Sequence, residues 1–142
     1  MFFKELLTIA LLLIVPAILS SCNNIEMKTE RIVCGIKVKD CHYDIGSVGS
    51  SYNSPHFRHF CYVLQNTTNR EIYLDTLEVS CNCLSVNYVP KCIKAYSSDS
   101  IVGNIDVTDL RGHFSRSIYV NFECGDIMLL RVTGVIDISK NE

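Results

Sequence analysis

The chemistry-bearing residues of this 142-residue chain are concentrated in its eight cysteines, two of which, Cys81 and Cys83, stand one residue apart in "EVSCNCLSV" (78–86). In an extended strand such residues share a face with Cα atoms about 6–7 Å apart, the upper limit for a disulfide, and their side chains run parallel. A direct bridge therefore requires a tight turn at Asn82. Two thiolates on one face offer two ligands to a soft or borderline ion such as Cu(I) or Zn²⁺, which then needs a third from elsewhere. His56, His59 and Cys61 are nominal third ligands, but in a strand His59 and Cys61 share a face while His56 lies opposite. Setting aside Cys22, the eight cysteines become seven, an odd number, so at least one thiol is free, modified or paired with another molecule. Where internal disulfides form, the expected pairs are Cys34–Cys41 and Cys83–Cys92, the latter across the loop holding Pro90. Spacing alone leaves three roles for Cys81 and Cys83: structural thiols or disulfides, a metal or redox centre, or packing.

The compartment bears on that choice, and the first residues point to it. Phe2-Phe3-Lys4-Glu5 precedes an apolar run from Leu6 to Ile18 that contains Pro16 and ends at Leu19-Ser20-Ser21-Cys22. The run is shorter than the ~18 uninterrupted apolar residues of a membrane span and ends in small residues suited to signal peptidase, so 1–21 is expected to be a cleaved signal peptide. Leu-Ser-Ser-Cys resembles the bacterial lipobox, which implies diacylation of the Cys22 thiol, cleavage before it and acylation of the new amino terminus. Two or more acyl chains hold a protein stably at a bilayer. Residues 22–30 then form a lipidated N-terminus and polar tether, and 31–142 a single domain. Asn23, in place of the aspartate that retains enterobacterial lipoproteins, favours the outer membrane of the cell envelope by analogy.

Formal net charge is −2, with no run of Lys or Arg, which together with the export signal argues against a nucleic-acid partner. The chain lacks a Gly-x-Ser-x-Gly elbow, a His-Glu-x-x-His, a phosphate-binding glycine loop and a dinucleotide fingerprint. No enzyme of a familiar class and no cofactor is expected.

The elements that must position the cysteines have a period of two. Ile32, Cys34, Ile36 and Val38 alternate with Val33, Gly35, Lys37 and Lys39, which predicts one strand with its even positions inward. "GSVGSSYNSP" (46–55) reads as loop, with a short extended piece at Asp44–Val48. Phe60, Tyr62 and Leu64 are predicted to face a core and Cys61, Val63 and Gln65 to face outward, before a turn at Asn66–Arg70. Ile72 and Leu74 continue beyond it, but the next apolar pair, Leu77 and Val79, has the opposite parity, which predicts a bulge or corner at Asp75-Thr76. Further strands are expected at Ser85–Val89, Ile101–Val107, Ile118–Phe122 and Leu130–Ile138, the last after a "CGD" turn at Cys124–Asp126. About seven strands in a chain of this size favour an all-β, antiparallel, immunoglobulin-like sandwich.

"YDIGSV", "HFRHFCYVLQNTTNREIYLDTLEVSCNCLSV", Pro90, "SIYVNFE" and "LLRVTGVID" together resemble the bacterial domain of unknown function 1573 family, over roughly Tyr43 to Asp137. That resemblance implies an immunoglobulin-like β-sandwich of the kind found in Bacteroidetes envelope lipoproteins. Gly46, Phe60, Asn66, Ser80, Cys81, Cys83, Pro90 and Gly134 fall on the family pattern. Asn82 stands where the family has glycine and Leu84 where it has threonine; Asn tolerates a left-handed backbone better than most residues. The family has no agreed activity. The function expected is that of a membrane-anchored envelope lipoprotein with a non-enzymatic domain that binds an envelope protein or glycan, or spaces it structurally. The alternative is a metal-handling or thiol-redox protein centred on Cys81 and Cys83.

Overall fold

A computed structural model of the chain describes residues 30–49 and 56–137; the expected signal peptide, Cys22 and nearly all of the tether lie outside them. The described residues form ten strands: β1 (Arg31–Val33), β2 (Ile36–Val38), β3 (His42–Gly49), β4 (Phe57–Asn66), β5 (Ile72–Val79), β6 (Leu84–Tyr88), β7 (Cys92–Ile93), β8 (Ser98–Asp106), β9 (Gly112–Phe122) and β10 (Ile127–Asp137). Two five-stranded sheets, ordered β1-β2-β4-β8-β6 and β3-β10-β9-β5-β7, pack face to face as an immunoglobulin-like sandwich. The alternation read from the sequence holds through β4: Phe60, Tyr62 and Leu64 are buried while Cys61, Val63 and Gln65 are exposed. Facing residues Ile101 and Ile105 of β8, Ile118 and Val120 of β9, and Met128, Leu130 and Val132 of β10 complete the core.

Ten strands replace the seven or so expected. The stretch read as one strand from Ile32 to Val38 is a hairpin, β1 and β2, with Ile32↔Lys37 and Val33↔Ile36 in register. Cys34 (φ 52°) and Gly35 (φ 85°) are both left-handed, the requirement of a two-residue type I′ turn, and Ile32 is consequently exposed. Gly35 also allows close approach, since a Cβ there would stand 2.3 Å from Cγ2 of Thr68. The piece at Asp44–Val48 belongs to β3, which runs parallel to β10, whereas the other pairings are antiparallel. A short crossing at Lys39–Cys41 moves the chain from one sheet to the edge of the other without a reversing turn, which accounts for that single parallel pairing. β7, two residues beside Ile72 and Tyr73, is too short to carry a periodic signal. The parity break in β5 is a bulge, with the register to β9 shifting between Leu74 and Thr76.

Asn66 is a fully buried polar side chain at the end of β4. Its Nδ2 donates to the carbonyls of Arg70 (2.7 Å), Ile93 (2.9 Å) and Lys94 (3.1 Å), and its Oδ1 accepts from the amide (2.9 Å) and hydroxyl (2.8 Å) of Thr68. The next residue, Thr67, donates its amide (2.9 Å) and hydroxyl (2.8 Å) to the Gly35 carbonyl. Asn66 thus shapes the turn against which the Cys34-Gly35 hairpin rests.

Candidate functional site

Two corners hold the cysteine chemistry, at opposite ends of β8. The first is the passage from β5 in one sheet to β6 in the other. Ser80 donates its amide to the Ser117 carbonyl (2.9 Å), while the Ser117 amide donates to Ser80 Oγ (2.9 Å). The hydroxyl supplies the acceptor that the backbone, turning out of the sheet, no longer offers. The Leu84 amide then donates to the Cys81 carbonyl (3.2 Å), closing a turn, and the Cys83 carbonyl accepts from Asp106 (2.8 Å) at the end of β8. This turn brings the Cα atoms of Cys81 and Cys83 to 5.2 Å, and the two are joined as a disulfide. The direct bridge is thus the outcome that the extended geometry disfavoured and the turn allows. Asn82 is not left-handed, so glycine is not required there, and Leu84 is buried where a threonine hydroxyl would need a partner. Pro90 is buried where the chain crosses back from β6 to β7.

The second corner joins Cys34, at the tip of the β1–β2 hairpin, to Cys124 in the β9–β10 turn, with Cα atoms 6.4 Å apart. This disulfide ties the two sheets. Sγ of Cys34, Sγ of Cys124 and a carboxylate oxygen of Asp126 all lie within 4.8 Å of one another. Cys34 Sγ stands 3.6 Å from Asp126 Oδ2. A bridged sulfur has no proton, so this approach is a contact in the disulfide and a hydrogen bond only when the thiol is free. An open cleft of 220 Å³ beside the bridge is lined by Cys34, Arg70, Glu71, Tyr73, Glu123 and Cys124 among others. The Tyr73 hydroxyl donates to Glu71 Oε2 (2.9 Å), and that bond holds the phenol above its ordinary pKa.

The expected pairs Cys34–Cys41 and Cys83–Cys92 are both corrected by these bridges. Cys34 and Cys41 lie beyond opposite ends of β2, and Cys34 is bridged to Cys124 instead. Cys92 lies in β7 opposite Tyr73, and its expected partner is held by Cys81. Cys41, Cys61 and Cys92 are free, in keeping with the odd count. Burial pushes the Cys41 thiol up, against a smaller lowering by Arg31. Burial also raises Tyr62 far above the ordinary phenol range, and its hydroxyl donates to the Arg131 carbonyl (2.6 Å). Cys81 and Cys83, as a disulfide, present no thiolates to a metal. The nominal third ligands stay apart from them: His59 and Cys61 are exposed on the outer face of β4, and His56 precedes that strand.

The family model for "Protein of unknown function (DUF1573)" matches residues 36–136. The chain belongs to the DUF1573 family. No curated protein matches it. Among solved structures, this DUF1573 domain is similar to a protein of unknown function from Porphyromonas gingivalis W83, at 10% identity and a TM-score of 0.60, covering 70% of this chain and 46% of that one. It is also similar to the ASH/PapD-like domain 7 of human CEP192 (9% identity, TM-score 0.53, 85% and 98% covered) and to the periplasmic chaperone SfaE (7%, 0.54, 72% and 57%). At such identities the likeness is one of fold. The chain spans less than half the length of the Porphyromonas protein.

Sequence reasoning passed over Cys124 and Asp126 of this DUF1573 domain as parts of a site. A signal was present: Cys34-Gly35 and Cys124-Gly125 are both Cys-Gly, and both glycines are left-handed, at φ 85° and 91°. A cysteine beside a turn-forming glycine sits at a hairpin tip, and two hairpin tips at one end of a sandwich can meet.

Proposed function

We propose that this chain is a membrane-anchored envelope lipoprotein, held in the bilayer through acylated Cys22, whose sandwich works without catalysis by binding or spacing an envelope protein or glycan. The observation that supports the binding role most directly is the outer face of the β1-β2-β4-β8-β6 sheet. There Cys61 of β4, Val102 of β8 and Tyr88 of β6 form one cross-strand row. Val63 adjoins it on β4, 56% exposed, and Tyr88 is 49% exposed. A solvated sheet face ordinarily alternates to polar side chains, and a contiguous apolar strip on a surface marks an interaction site. The outer membrane is the favoured location, on the strength of Asn23.

The test has two arms. Metabolic labelling with an alkynyl fatty acid is expected to mark the wild type and not Cys22→Ser; equal labelling of both removes the anchor. A photo-crosslinking residue at position 63 is expected to trap a defined envelope partner that the same probe at Thr133, on the other sheet, does not. Recovery of the lipoprotein alone from both positions removes the binding role. The rival reading, thiol-redox or metal handling by Cys81 and Cys83, draws on their half-buried disulfide; thiols that are unreactive after reduction, with no bound metal, would dispose of it.

A further inference from the structure

We propose that Cys34, Cys124 and Asp126 form a redox-gated site for one thiophilic divalent cation of the Zn²⁺ class, closed while the two sulfurs are bridged and opened when they are reduced. The donor set is two thiolates and one carboxylate, a combination suited to zinc. Its geometry fits as well. Tetrahedral zinc with a Zn–S bond of ~2.3 Å and a Zn–O bond of ~2.1 Å requires an S···O separation of about 3.6 Å. Cys34 Sγ and Asp126 Oδ2 are 3.6 Å apart already. The two sulfurs must part from bonding distance to about 3.8 Å, which follows from the same bond length and angle. With Cα atoms 6.4 Å apart, side-chain rotation at two hairpin tips can supply that movement.

The surroundings favour a cation over the bare reduced pair. Glu71 and Glu123 line the adjoining cleft with Arg70, and Asp126 touches Cys34. Two thiolates formed beside these carboxylates would repel one another, and a divalent ion removes that cost while leaving a fourth position for water. The chemistry balances with a dithiol as reductant. Two electrons from the dithiol cleave the Cys34–Cys124 bond, the dithiol leaves as its own disulfide, and both protein sulfurs leave as thiols. Binding of Zn²⁺ then releases two protons, one from each thiol. The same two turns are cross-linked in either state, by the disulfide or by the metal.

The experiment uses the purified protein, reduced with a phosphine under anaerobic conditions, desalted and titrated with Co²⁺. One equivalent is expected to produce a thiolate-to-cobalt charge-transfer band in the near ultraviolet, bleached by Zn²⁺, whereas oxidised protein produces none. Cys34→Ser/Cys124→Ser should abolish the band and Cys81→Ser/Cys83→Ser should retain it. Asp126→Asn, an exposed turn substitution that leaves the core intact, should weaken Co²⁺ binding roughly tenfold or more. Zn²⁺ should also raise the melting temperature of the reduced wild type more than that of reduced Asp126→Asn. A reduced wild type without the band, an Asp126→Asn protein that binds as tightly as wild type, or a band lost with Cys81 and Cys83 would each overturn the proposal.

Discussion

Replacing Asn66 by alanine tests whether a single buried amide organises one end of the sandwich. Five contacts depend on its side chain, three donated by Nδ2 and two accepted by Oδ1. Nδ2 has two hydrogens, so its three contacts amount to about two full bonds, and the hydroxyl and amide of Thr68 supply two more. At about 1 kcal/mol net for each, the loss should be roughly 4 kcal/mol. That is a large share of the ~5–15 kcal/mol that stabilises an ordinary domain, and corresponds to a melting temperature lower by roughly 12–25 °C. Urea unfolding followed by circular dichroism should show a lower midpoint at unchanged slope. Asn66→Asp sharpens the test, because it keeps the acceptor for Thr68 but turns a carboxylate toward three carbonyl oxygens. Its charge is disfavoured in the fold, so the folded-state pKa of this carboxyl rises above the unfolded value. The variant should therefore be about as unstable as Asn66→Ala at neutral pH and recover as pH falls through the carboxylate range. A loss below ~1 kcal/mol for alanine, or an aspartate variant near wild-type stability at neutral pH, would refute both the orientation of the amide and its role.

The two disulfides should differ sharply in worth. Loop-closure entropy for a separation of 90 residues gives roughly 4–5 kcal/mol for Cys34–Cys124, against roughly 1–2 kcal/mol for Cys81–Cys83, to be read from urea midpoints of the paired serine variants. Ser80→Ala should cost about 1 kcal/mol, through the unpaired Ser117 amide, and Ser80→Thr should recover most of it. Mass mapping after timed alkylation of the native protein should find Cys61 modified first, Cys92 later and buried Cys41 only on unfolding. Burial raises the folded-state pKa of both Cys41 and Tyr62, so the stability they contribute is complete below the ordinary thiol range and is lost as pH rises through the folded values. Stability should thus decline on the alkaline side, and Cys41→Val should flatten the first part of that decline.

What sequence patterning could and could not reveal follows from what a period of two measures. It reports which face a side chain takes, and there it succeeded: the inward Phe60, Tyr62 and Leu64, the outward Cys61, and the bulge at Asp75-Thr76 that re-aims Leu77 and Val79. It is silent about which strand lies alongside. The parallel partner of β3 and the meeting of Cys34 with Cys124 are properties of pairing across a separation of 90 residues. It also misreads a hairpin whose two arms keep one another's parity. Ile32 and Ile36 share that parity, and only the left-handed Cys34-Gly35 turn sends one outward and the other into the core. The reading against a direct Cys81–Cys83 bridge failed for a related reason, since an assumed extended backbone kept the thiols apart where a turn brings them together.

The residues that mark the family are accounted for by architecture. Ser80 supplies an acceptor at the point where the chain leaves a sheet, Cys81 and Cys83 brace the turn that follows, and Asn66 satisfies three carbonyls at the far end. Phe60 lies over Gly103, directly across the β4–β8 pair, where an added Cβ would come within 2.4 Å of the ring. Side chains fully engaged in holding a corner or filling a close approach have little freedom to meet a ligand as well. The groups with chemistry left to spend lie elsewhere: the apolar row across Cys61, Val102 and Tyr88, and the hairpin tips where Cys34, Cys124 and Asp126 converge. Of the cysteines at that second site, Cys34 precedes the matched span 36–136. A shared fold therefore carries no shared metal chemistry with it, and a relative lacking a cysteine at either hairpin tip should keep the sandwich and lose the site.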